Sequence, residues 1–261
     1  MDGKFEVGLP WVTDNLEMPY NRAAVAGQLA CQKRKFLKVK QNFEKYKKVM
    51  MDDLNSGFSK MQMPYDLERT NLKFCITHHT TSQAKFHVVF YGAERFQGIS
   101  LNDKLLQEPD LACDMHGVIL RWRRHLIAVK ADIRKMFYHI RVRESDAEAT
   151  RFLFHPDGDL NKEPTDHKMR VHIFGSRSSP SVAGYVLQRC IKENEPGVEQ
   201  HIVDNALRSF YIDDLLTGAG SADEALNMVR TISDLIASGG FHLTKFVSNS
   251  LEVLKHIPVC D

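Results

Sequence analysis

Three carboxylates carry the chemistry this sequence can do. Two are adjacent, Asp213 and Asp214, in "SFYIDDLLTG" at residues 209–218. Around them Phe210, Tyr211, Ile212, Leu215 and Leu216 have the character of a buried strand. Two like charges about 4 Å apart, at an effective dielectric of about 20, repel by roughly 4 kcal/mol. A tight turn, where aspartate is common, would take the pair to water. A divalent cation would compensate it in place. The third acid, Asp132, lies in "HLIAVKADI" at residues 125–133, where Ile127, Val129, Ala131 and Ile133 alternate onto one face and Lys130 and Asp132 onto the other. Three carboxylates converging from two strands can hold two Mg²⁺ ions, with Mn²⁺ as a substitute. Ions about 4 Å apart clamp the attacking and leaving oxygens of a phosphoryl displacement.

The elements that must position these acids can be read around them. Residues 22–54 predict one or two basic helices, and "LKFCITHHTTSQAKFHVVFY" (72–91) predicts a hairpin around a polar tip. Asp110 is a candidate cap for a helix through Met115, Val118 and Trp122. "ATRFLFH" and "KMRVHIF" predict two strands joined by the turn-rich "PDGDLNKEPTD". Ser179-Pro180 opens a helix through Leu187 and Ile191, with proline at a tolerated first-turn position. After the acidic hairpin, Ser221 and Glu224 form a capping box for a helix carrying Leu226, Val229, Ile232 and Ile236. Gly239-Gly240 stops it, and "FHLTKFV" predicts a last strand. The expected class is α+β, an antiparallel sheet with helices on one side.

Composition narrows the function classes. The chain has 261 residues, 43% of them hydrophobic, and 15 phenylalanines, enough to fill a core. Five cysteines without a CxxC pair argue for reduced thiols and an intracellular site, in cytoplasm or nucleus, and against a zinc ribbon. No apolar run reaches membrane-spanning length, so no membrane partner is expected. The net charge of +2 hides two basic clusters, one between Gln28 and Met50 and one from Arg121 to Arg143, which flank the acids as a polyanion track would. Taken singly, each cluster reads as a solvated helix face, and so does "KRKFLKVK" (33–40), which has the look of a nuclear signal. His78-His79 resembles a metal pair, but neighbours in a strand point to opposite faces, so both are read as structural, as are Trp11 and Trp122.

Over nearly its whole length the chain resembles the reverse transcriptases of BEL/Pao-type LTR retrotransposons. The resemblance rests on "EVGLPW" (6–11), "KFHVVF" (85–90), "SLND" (100–103), "PDL" (109–111), "VKADIRKMFYHIRVRESDAEATRFLF" (129–154), "FGSRSSPSVA" (174–183), "YIDDLLTGAGSADEAL" (211–226) and "GGFHLTKFVSNS" (239–250). It implies a fingers and palm fold over residues 71–261, preceded by an N-terminal extension and basic helical region over 1–70. It implies an RNA-directed DNA polymerase acting on a primed RNA or DNA template and dNTP, with two Mg²⁺ ions. Asp132 and Asp213 would be the principal metal ligands and Asp214 the third catalytic acid. Phe137 would be the gate that excludes a ribose 2′-hydroxyl. Lys85, His87 and the backbone at Lys135 and Met136 would face the triphosphate, with Lys245 as proton donor to pyrophosphate. Tyr211 and Ile212 would line the primer terminus, and Phe174 and Gly175 the template base.

The chain departs from the family pattern at His87, where arginine is usual, at Tyr91-Gly92, where Asp-Ala is usual, and at Ile173 and Ser176-Arg177. A neutral histidine grips a triphosphate less well than arginine's fixed fork of donors. The resemblance also implies that thumb, RNase H and integrase would follow Asp261 and a protease would precede Met1. These departures keep open a second reading, a catalytically silent, truncated or domesticated remnant that binds nucleic acid. A metal-dependent nuclease is weaker, since no histidine base accompanies the acids.

Overall fold

A computed structural model describes residues 5–13, 17–62, 74–81, 87–106 and 114–257. The helices used below are α1 (Arg22–Lys38), α2 (Lys40–Asn55), α3 (Met115–Trp122), α4 (Ser179–Glu193), α5 (Gln200–Ser209), α6 (Ala222–Ala237) and α7 (Leu251–His256). The strands used below are β1 (Ser59–Met61), β2 (Thr77–Thr81), β3 (His87–Tyr91), β4 (Ile127–Ile133), β5 (Arg151–Phe154), β6 (Thr165–Met169), β7 (Phe210–Tyr211), β8 (Asp214–Ala219) and β9 (Leu243–Ser248). They fall into two compact units. Unit one is built from Glu6–Gln107 and Arg141–Ser179, unit two from Glu108–Ile140 and Pro180–Asp261.

In unit one the basic segment forms two helices because Val39, at φ −131° and ψ 81°, leaves the helical region between them. Lys35 and Lys38 in the last turn of α1 suit the negative end of its dipole. The lysines stay outside, while α1 buries Val25, Leu29 and Phe36 and α2 buries Tyr46, Met50 and Asp53. The expected hairpin is β2 and β3, paired with His78 opposite Phe90. A second sheet runs β1–β6–β5, all antiparallel. Here the sequence reading needs correction. The strand expected over "KMRVHIF" is β6, which starts at Thr165 and ends at Met169. The segment is buried as a core strand would be, with Met169, Val171, His172 and Ile173 all inside. Beyond Met169, however, the chain changes partner, and Val171 bridges to Arg141. An aromatic column fills the centre. Phe36 stacks on Tyr46, and Tyr46 lies 5.6 Å from and nearly parallel to His78, whose Nε2 shares a 2.6 Å hydrogen bond with the Tyr46 hydroxyl. His78 is thus a core residue.

Unit two is a four-stranded antiparallel sheet in the order β9–β4–β8–β7. Helix α6 covers one face, burying Leu226 and Val229 against Val129 of β4 and Ala219 of β8, with Val253 of α7 in the same cluster. Ser221 caps α6 as expected by accepting from the Glu224 amide, but the Glu224 carboxylate takes the amide of Gly220 rather than that of Ser221. The cap of α3 is Asp114, which accepts from the Gly117 amide, whereas Asp110 lies outside the described residues. Helix α5 had no counterpart in the sequence reading. It buries Ile202, Val203 and Ala206, and Asn205 ties it to the sheet by accepting from the Thr217 hydroxyl at 2.7 Å.

Candidate active site

The acids meet because of strand register. β8 runs antiparallel to β4 with Asp214 opposite Asp132, Leu215 opposite Ala131 and Leu216 opposite Lys130. Residues opposite each other in a ladder share a face. Ala131, Ile133 and Leu215 are buried on the covered face. Asp132, Asp214 and Lys130 therefore share the other face, where the two acid side chains keep 23% and 34% of their exposure.

Asp213 sits in the turn that joins β7 to β8. Tyr211 pairs with Asp214, which leaves Ile212 and Asp213 as a two-residue connection. Ile212 has φ +55°. Glycine is ordinary at the first position of such hairpin turns, and a β-branched residue there carries about 1–3 kcal/mol of strain. The surroundings hold the turn: the amide of Ile133, next to Asp132, donates to the Asp213 carbonyl at 2.7 Å. Burial pushes the Asp213 carboxyl above the usual carboxylate range. A hydrogen bond from its own amide opposes the shift, the charges of Asp132 and Asp214 add to it, and Lys245 opposes it. The repulsion expected from the sequence is therefore present at Asp213.

Two lysines answer that charge. Lys245 Nζ stands 2.7 Å from Asp132 Oδ2, and Lys130 Nζ stands 3.0 Å from Asp214 Oδ2. Lys245 reaches the acid because β9 is irregular between Thr244 and Val247, with Lys245 at φ +53°. Thr244 adds a hydrogen bond from its hydroxyl to the Asp132 carbonyl. Among the described residues no three His, Cys, Asp or Glu side chains form a ready-made metal cluster. The donor set itself, carboxylate oxygens on one sheet face with the Asp213 carboxyl in the turn beside them, has the hard character that Mg²⁺ or Mn²⁺ takes. The sequence placed Lys130 on the same strand face as Asp132 but gave it no role; its partner, Asp214, becomes visible only through the register of β4 and β8.

The remaining residues fall in both units. In unit two, Lys135 has φ +49° and its ammonium lies 5.4 Å from the Tyr138 ring centroid, while Met136 and Phe137 are buried, Phe137 to 3% exposure. In unit one, Phe174 is exposed and Gly175 has φ +101°. A Cβ at Gly175 would stand 1.8 Å from the Phe90 carbonyl oxygen. Asn102, from "SLND", donates to the Gly175 carbonyl and accepts from the Arg177 amide. A Cβ at Gly92 would stand 2.6 Å from that same Gly175 oxygen, so glycine suits a position where the family usually has alanine. His87 opens β3, and Lys85 lies outside the described residues.

Comparison with known proteins agrees with this geometry. The family described as reverse transcriptase (RNA-dependent DNA polymerase) matches residues 93–246, more than half of the chain. A foamy viral protease–reverse transcriptase solved with an RNA/DNA hybrid matches with a TM-score of 0.58 at 14% identity, covering 78% of this chain and 23% of that one. A foamy viral protease–reverse transcriptase form solved with double-stranded DNA matches with a TM-score of 0.55 at 13% identity, covering 74% and 28%. At such identities the likeness is one of fold, that of a palm and fingers fragment, and this chain spans about a quarter of those proteins' length. No curated protein matches. With the acids of "ADI" and "YIDD" facing each other across β4 and β8, the chain belongs to the reverse transcriptase (RNA-dependent DNA polymerase) family.

Proposed function

We propose that this chain is the fingers and palm core of an RNA-directed DNA polymerase from a BEL/Pao-type retroelement. Its reaction is attack of a primer 3′-hydroxyl on the α-phosphate of a dNTP, with pyrophosphate leaving. The observation that carries the reading is the register of β4 and β8, which sets Asp132 opposite Asp214 with Asp213 in the turn beside them. Two divalent ions, when bound there, would lower the hydroxyl pKa and neutralise the charge that develops on the phosphoryl oxygens. Asp132 and Asp213 are the principal ligands in this reading, and Asp214 completes the set. Lys130 and Lys245 hold two of these carboxylates as counter-ions, so cation binding has to displace them. Lys245, once released, is a proton donor to pyrophosphate.

In the same reading Lys85, His87, Lys135 and Met136 face the triphosphate, Phe137 sets sugar choice, Tyr211 and Ile212 touch the primer end, and Phe174 and Gly175 the template base. Residues 1–70 are a basic extension and residues 71–261 the fingers and palm. The protein works inside the cell, with Cys31, Cys75 and Cys190 as free thiols. No described helix is long and apolar enough to cross a membrane.

The second reading, a silent nucleic-acid-binding remnant, is favoured by the two lysine–carboxylate pairs and by His87. Primer–template affinity, measured with and without the correct dNTP in Mg²⁺, separates the two. An active core gains affinity with the correct dNTP alone, by a small factor given His87. A remnant binds equally with correct, mismatched or no dNTP.

A further inference from the structure

Unit two contains a cavity of about 240 Å³ between α3, α5 and β8, and none of the three acids lines it. Its lining is strongly basic: Arg121, Arg124, Arg208, His125 and His201, against the single acid Asp204. Surface arginines are commonly matched by a carboxylate, as Arg22, Arg95 and Arg189 are here. Among the described residues Arg121, Arg124 and Arg208 hold no acid. Asp204 instead accepts from Gln200 at 3.0 Å, and His201 leans on Glu199 at 3.4 Å.

Arg121 is the most telling member. Its Nη2 donates to the Arg208 carbonyl at 2.8 Å, which fixes the guanidinium against α5. Its Nε is buried and has no hydrogen-bond partner among the described residues. A buried charged donor left unmade is costly, and an oxyanion would satisfy it. Guanidinium forks match the spacing of phosphoryl oxygens. The volume sets the size of the guest, because sites for drug-sized molecules run from about 300 to 1,000 Å³. This cavity is smaller and suits one phosphoryl group rather than a nucleotide.

We propose that the cavity is a phosphate-binding site, which takes one phosphoryl group on Arg121, Arg124 and Arg208, separate from the carboxylates of the active site. The group comes either from a nucleic-acid end or from free phosphate. The inference does not depend on the polymerase reading, because it needs neither metal nor dNTP.

The test is calorimetric titration of the whole chain with inorganic phosphate in EDTA, so that no metal recruits phosphate to the acids, followed in parallel by fluorescence of Trp122, which also lines the cavity. Saturable binding is expected, weakened at least tenfold in the double variant Arg124→Gln/Arg208→Gln. Both side chains are exposed, so the variant should fold. Removing the same charge elsewhere in unit two, with Lys192→Gln/Lys255→Gln, should leave the affinity unchanged. Absence of saturable binding by the wild type, or equal affinity in all three proteins, overturns the proposal. A 5′-phosphorylated dinucleotide that competes with phosphate in the wild type identifies a nucleic-acid end as the source, and failure to compete identifies free phosphate.

Discussion

Unit one and unit two differ in which ionisable groups they bury most deeply, although burial also lowers the pKa of half-buried His139 in unit two. Unit one takes histidines into its core and keeps them neutral, with burial pushing His167 and His172 down to about 4. Unit two leaves its acids at a half-open sheet face, and burial and like charge push Asp213 up. Backbone strain follows the same division. Among the described residues, those of unit one with positive φ other than glycine are Gln97 and Asp157, polar residues in turns. In unit two they are Lys135 and Ile212, each within three residues of an acid in sequence, and Lys245, which pairs with Asp132 across the sheet. Concentrated strain and a carboxyl raised by burial and like charge mark the part of a fold held for chemistry rather than for stability.

Acid should break the comparison most visibly. His167 and His172 protonate less readily in the fold than when unfolded, so the unfolded state binds more protons once the pH falls below about 6.5. Stability is therefore full above that pH and declines as the pH falls toward about 4, by up to roughly 3 kcal/mol for each histidine. Denaturant titrations from pH 7.5 to 5, followed by Trp11 in unit one and Trp122 in unit two, should show the Trp11 midpoint falling well ahead of the other. Midpoints that fall together would remove the histidine contrast between the units.

A smaller effect concerns Phe137. Its buried ring makes Phe137→Val cost about 1–3 kcal/mol in unfolding free energy. If the ring also gates the sugar, the variant should raise ribonucleotide incorporation while keeping much of its deoxyribonucleotide use. A lower melting temperature with unchanged sugar preference would make Phe137 core packing alone.

Strain offers a matched pair. Ile212→Gly should raise stability by about 1 kcal/mol through relief of positive φ, whereas Asp157→Gly should change it little, because aspartate tolerates that region and the variant gives up the Lys162 ion pair. Only the first should lower primer extension, because only Ile212 holds the acidic turn in shape. Equal activity in both would mean that strain at residue 212 is incidental. The smallest effect is expected from Lys130→Gln. A half-exposed ion pair contributes about 0–1 kcal/mol, so stability should hold, while Mn²⁺ affinity measured by electron paramagnetic resonance should rise several-fold as Asp214 is freed. An unchanged Mn²⁺ affinity would make the lysine a bystander.

Much of this was legible in the residues. The alternation in "IAVKADI" set Asp132 on the polar face, and the YIDD run marked a hairpin with Asp213 and Asp214 at its tip, of which only Asp213 lies in the turn while Asp214 opens β8. What remained hidden depends on register or on distant partners. Lys245 finds Asp132 through an irregularity in β9 that no local pattern announces. β6 ends early because Val171 turns to Arg141, a partner 30 residues away in sequence. Helix α5 was readable in principle, since Ile202, Val203 and Ala206 have helical spacing, but its short length hid it beside the stronger hairpin signal. Gly92 read as a departure from the family and is explained only by the closeness of Gly175 and Asn102.

The central claim is that the carboxylates of unit two perform nucleotidyl transfer. Primer extension on a polyribonucleotide template in Mg²⁺ or Mn²⁺, with wild type against Asp213→Asn, tests it most directly. We expect short, distributive extension by the wild type and a loss of at least about a hundredfold in the variant. Stability at neutral pH should hold or rise in Asp213→Asn, because a raised carboxyl pKa means that the fold disfavours the charge being removed. Equal extension by the two proteins, or none by a folded wild type, would contradict the account.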